Sequence, residues 1–134
     1  FAKAKKGIAR ALKSNDPWVR YWGAIGCSSF GKDASSFTGT AKNLVKNDAD
    51  NLVRVRAAEF LALIGAAGPQ DEIYEALKNA ESEVEANLIL NTVTLLQDGQ
   101  PGYEFNIDPD IFPKEWRSDA RGNVSRRLAY FMGK

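Results

Sequence analysis

The stretch "SNDPWVRYW", residues 14–22, places Asp16, Arg20 and three aromatic rings within nine residues. Together these types perform recognition chemistry. A carboxylate and a guanidinium hold ions and polar groups. The rings of Trp18, Tyr21 and Trp22 offer apolar faces to a partner. Trp18 and Trp22 are four apart and share one helix face. The rest of the chain is poor in reactive groups. It has no histidine, so the commonest general base and the Ser-His and Cys-His nucleophile pairs are missing. Its single cysteine, Cys27, forms no internal disulfide and no thiolate zinc site. Ile25 and Phe30 nearby predict a buried thiol. Asp98, Asp108 and Asp110 lack the spacing of an EF-hand. No catalytic residue, metal or cofactor is expected.

The chain of 134 residues is 44% hydrophobic and 26% charged, which suits one domain over residues 1–134. No apolar run is long enough to span a membrane, so no membrane partner is expected. Residues 1–46 carry nine Lys/Arg against two acids, a net +7. Residues 70–119 carry twelve acids against three Lys/Arg, a net −9. One end of the fold is therefore predicted to be positive and a later part negative. The sequence pI of about 8 is low for a nucleic-acid-binding domain, and no nucleic-acid partner is expected. The opening "FAKAKKGIAR" is basic and amphipathic, unlike a signal peptide, and does not begin with Met. The expectation is a piece of a longer chain.

The elements that position these residues repeat. "NDPWVRYWGAIGCSSFG" (15–31) aligns with "ADNLVRVRAAEFLALIG" (49–65) at an offset of 34, with Arg20 on Arg54 and Gly31 on Gly65. A third copy, residues 80–99, puts Val84 on Val53 at an offset of 31. Each unit reads as a short helix followed by a longer, more apolar one. The short helices are expected at Ala4–Lys13, Thr40–Lys46 and Pro69–Asn79. The long ones are expected at Pro17–Phe30, Asn51–Ile64 and Ser82–Gln97, closed by Gly31, Gly65 and Gly99. The units cover about 4–34, 38–66 and 69–98. An insertion or cap (99–122) and a terminal helix (123–134) follow. The predicted class is all-α, an α-solenoid of stacked helical hairpins.

Within such a unit Asp16 caps a helix and Pro17 presets its first turn. Val19 is expected to pack between layers. Arg20 lies in the first turn, where the helix dipole disfavours a cation. An inter-repeat ladder is predicted to hold it: Arg20 toward Asp50, and Arg54 toward Glu81 or Glu83.

Asp-Pro-x-Val-Arg followed by a helix of small residues resembles the HEAT repeat in its short bacterial form. "DPWVRYWGAIG", the second "VRVRAAEFLALIG" unit and the terminal "RRLAY" are further similar to the HEAT-like segment at the C-terminus of bacterial sulfatases. These are enzymes of the heparan N-sulfatase and arylsulfatase type. The resemblance covers residues 13–96 and 124–130, and departs from the pattern in the 98–122 insertion and at Glu85. It implies that the catalytic machinery lies elsewhere, because Cys27 is followed by neither the proline nor the arginine of the formylglycine motif. It also implies a periplasmic or secreted parent enzyme, with its catalytic domain or another protein as partner.

The insertion gathers Tyr103, Phe105, Phe112 and Trp116. They serve either as anchors for a partner or as a cap on the last layer, and the cap is the favoured reading. Three functions compete. The first is a non-catalytic module of a larger hydrolase. The second is an independent HEAT-repeat scaffold for protein binding. The third, ranked last because the middle of the chain is acidic, is a HEAT-like DNA glycosylase or bilin lyase.

Overall fold

The long helices begin where a side chain accepts the free N–H groups of the first turn. Asp16 accepts from Trp18 N at 2.9 Å. Asp50 accepts from Leu52 N and Val53 N, each at 3.0 Å. Ser82 accepts from Glu85 N at 3.1 Å. A computed structural model describes residues 1–66, 68–118 and 122–132 of the chain. Residues 119–121 of the expected insertion and 133–134 of the expected terminal helix lie outside the described residues.

The caps open α2 (Pro17–Phe30), α4 (Asn51–Leu63) and α6 (Glu83–Gly99). Each is preceded by a shorter helix: α1 (Lys5–Leu12), α3 (Thr38–Asn47) and α5 (Gln70–Lys78). Two short pieces, α7 (Lys114–Ser118) and α8 (Asn123–Met132), complete the chain, with 3-10 segments at Gly31–Phe37 and Pro109–Ile111. No strand occurs among the described residues. The all-helical class is therefore established.

Helices α2, α4, α6 and α8 form a row in which each touches the next. α1 packs on α2, α3 on α4, α5 on both α4 and α6, and α7 on α8. A single apolar core runs from Ile8 to Leu128. α4 has neighbours on most of its sides, which is why its sequence is apolar nearly all round. Gly31 and Gly65 end α2 and α4 with φ of +57° and +69°, a region open to glycine and strained for other residues. Gly99 differs from expectation. It stays inside α6, and the left-handed turn falls three residues later, at Gly102.

The caps also correct the register of the third unit. Asp50 to Ser82 is an offset of 32, one more than the match of Val84 to Val53. In the cap register the buried positions coincide: Ala24, Ala58 and Leu90, then Cys27, Leu61 and Val93. Val84 is 69% exposed, and Glu85 takes the place of Val53. Glu85 reaches back to accept from Glu81 N at 2.7 Å, while its own N–H donates to Ser82, a variant of the capping box shifted by one residue. Val19 is a second correction. It is 40% exposed, because α2 packs on α1, α4 and the 31–37 segment and leaves that side open.

Residues 98–118 fold back on α5 and α6. Gln97 Oε1 accepts from Phe105 N at 3.0 Å, and the Tyr74 hydroxyl accepts from Asp108 N at 3.3 Å. Phe105 and Phe112 enter the core. Phe112 is thus removed from the candidate interaction surface, since its ring is buried. Phe112→Ala is expected to cost about 3 kcal/mol in urea unfolding, as for a core aromatic. A partner anchor on the surface would lose less than about 0.5 kcal/mol.

Candidate interaction surface

The most unusual side chain of α4 is Glu59, a carboxylate only 3% exposed in the most thoroughly buried of the long helices. It accepts from the Thr92 hydroxyl of α6 at 3.0 Å. It also accepts from Arg56 Nη1, one turn earlier, at 3.2 and 3.4 Å. The Arg56 guanidinium lies 5.3 Å from the centroid of the Tyr21 ring of α2, a cation–π contact. Three long helices are joined by this chain of contacts. Arg127 of α8 extends the polar row, donating to Asn91 and, at 3.0 Å, to Thr94 Oγ1 of α6.

This is not the ladder expected from first-turn residues. Arg20 donates to Asp48 through Nε at 2.8 Å and Nη2 at 3.1 Å, and to Ser14 O at 2.9 Å. The hydrogen bond to Asp48 holds the Arg20 guanidinium above its ordinary pKa. Asp48 replaces Asp50 as partner because the Asp50 carboxylate is committed to the N–H groups of its own helix. Arg54 does not reach Glu81. Its Nη2 donates to Asn51 Oδ1 at 2.6 Å, and Asn51 in turn donates to Ala76 O at 2.5 Å. Glu81 is exposed, with its N–H held by Glu85.

Tyr21 sits between two indoles. Its ring is 5.4 Å from Trp18 and 5.6 Å from Trp22, edge-on to both. Tyr21 is buried, whereas Trp18 is 57% and Trp22 64% exposed. The two indoles thus form an apolar ledge on α2, each packed against Tyr21, whose ring lies under the Arg56 guanidinium. Tyr103 and Trp116 lie elsewhere, half-buried in the folded-back region, Tyr103 stacked on Phe105 and Trp116 tilted against Phe112. The rings of residues 18–22 and those of the insertion are therefore two separate clusters. Arg56, Glu59, Thr92 and Arg127 were missed by sequence reasoning. The available signal was an Arg-Glu pair three apart within a largely apolar stretch, Val55 to Leu63.

Cys27 is buried against the core, and burial pushes its thiol from the ordinary 9.0 up to about 11. It is protonated at neutral pH and sealed from reagents. No cluster of three metal-ligating side chains occurs among the described residues, and no described helix is long and apolar enough to cross a membrane. No family model matches the chain, and no curated protein or solved structure is significantly similar to it.

Two outcomes follow. Glu59→Ala is expected to cost about 3 kcal/mol, because it breaks a buried charge pair. The exposed Glu81→Ala control should stay within about 0.5 kcal/mol by the same urea measurement. For Cys27 the folded pKa lies above the unfolded one. Its contribution is whole below pH 9.0 and is lost as the pH rises toward about 11. The stability difference between the wild type and Cys27→Ala should therefore shrink across that window, and iodoacetamide should label Cys27 only after unfolding.

Proposed function

We propose that the chain is a non-catalytic helical-repeat module, a HEAT-like α-solenoid that forms the C-terminal part of a larger sulfatase-like hydrolase. In this reading the parent chain cleaves a sulfuric ester or an N-sulfate. The module stabilises the catalytic domain by docking against it. The observation that carries the reading is the Trp18–Trp22 ledge. Two indoles more than half exposed are unusual on a monomer, and exposed apolar patches mark partner surfaces. Their edge-on packing against Tyr21 restricts their rotamers and so lowers the entropy lost on docking. Tryptophan is also the residue type most enriched at interface hot spots. The sequence resemblance to the sulfatase C-terminal segment supplies the kind of partner, and the row of long helices is compatible with stacked hairpins.

The genomic reading frame provides the first test. A preceding domain with a Cys/Ser-x-Pro-x-Arg motif supports the appended module. A frame that starts near Phe1 overturns it and favours an independent protein-binding scaffold. The second test uses the catalytic region expressed separately and titrated with this chain. Changing Trp18 and Trp22 together to alanine should weaken binding at least about tenfold. The thermal midpoint should hardly change, since both side chains lie on the surface. Unchanged affinity would remove the ledge from the interface.

A further inference from the structure

A second surface feature lies away from the tryptophan ledge. α3 and α5 both rest on α4, and between them runs an open groove of about 660 Å³. One wall carries Lys42 and Lys46, one turn apart on α3. The other carries Asp71, Glu72 and Glu75 of α5. Leu61, Val45 and Pro69 give it an apolar lining.

Opposite charges face each other here without pairing. Among the described residues no ion pair crosses the groove, and Glu75 instead binds Lys78 of its own helix at 3.2 Å. Arg54 lines the groove as well, and its Nε is buried with no hydrogen-bond partner. A buried charged donor without a partner is costly. Arg54 also lies in the first turn of α4, where the dipole disfavours a cation. A carboxylate in the groove beside Arg54 would offset the dipole penalty through its charge, and would gain from Lys42 and Lys46. An ammonium or guanidinium would complement the acidic wall.

We propose that this groove binds an extended peptide segment in which an acidic and a basic residue flank an apolar one. The acid faces Arg54 and the α3 lysines, the base faces the α5 carboxylates, and the apolar side chain lies over Leu61. The volume is in the range of a ligand-sized site. The proposal stands independently of the sulfatase reading and of the tryptophan ledge.

The test is a titration of the ¹⁵N-labelled chain with a capped pentapeptide, Gly-Glu-Leu-Lys-Gly, and with its reversed sequence. At least one should give saturable amide shifts at Lys46, Arg54, Leu61 and Glu75, with a Kd of about 1 mM or tighter. The analogue with glutamine at both charged positions should bind at least about tenfold more weakly. Arg54→Gln and the exposed Lys46→Glu should each produce a similar loss. Lys46→Glu keeps the test valid if Arg54→Gln perturbs folding. The variant lacking Trp18 and Trp22 should bind the peptide normally. Absence of saturable shifts with both peptides overturns the proposal, as do shifts elsewhere or shifts that survive both groove substitutions.

Discussion

Glu59 carries a charge into the middle of the helical row, and the arrangement of the long helices depends on how that charge is met. Apolar contact alone tolerates sliding and rotation, because one aliphatic surface packs against another in several ways. A buried carboxylate does not. It needs the Thr92 hydroxyl from α6 and the Arg56 guanidinium from its own helix: losing Arg56 leaves an uncompensated charge, and losing Thr92 leaves a buried acceptor short of a donor. Arg56 in turn lies over Tyr21, so the same constraint reaches α2. The offset of α2, α4 and α6 along the row is thereby set by polar geometry within an apolar core.

The helix starts follow the same economy. Each available carboxylate satisfies the nearest free donors first. Asp16 and Asp50 serve their own first turns, which leaves Asp48 to meet Arg20. Asp48 also accepts from Asp50 N, so one carboxylate fixes both the turn before α4 and the start of α2. At the third unit the roles change hands. Ser82 accepts from Glu85 N, Glu85 accepts from Glu81 N, the Glu81 side chain is left in solvent, and Arg54 meets Asn51.

Both surfaces that stand out are by-products of this packing. Tyr21 is drawn inward by Arg56, and its neighbours at either side are turned outward as a supported pair of indoles. α3 and α5 each pack on α4 and do not close on one another, so their side chains face across an open groove. The charge segregation along the chain then has a spatial meaning there. Lys42 and Lys46 belong to the basic first third, and Asp71, Glu72 and Glu75 to the acidic later part.

The helical class, the order of short and long helices, the cap at Asp16 and the burial of Cys27 were all legible in the sequence. They depend on local signals: a capping carboxylate, a proline in the first turn, and apolar residues three or four apart. The tertiary structure alone decided the third register, because Val84 and Leu90 are equally apolar and only the neighbouring helices determine which is buried. It alone assigned Asp48 to Arg20, since the choice between two acids two residues apart depends on which is already engaged. Phe112 and Trp22 are similar as sequence symbols, yet one is buried in the core and the other faces solvent. Sequence spacing sets which residues share a helix face, but what covers that face is a property of helices distant in the chain.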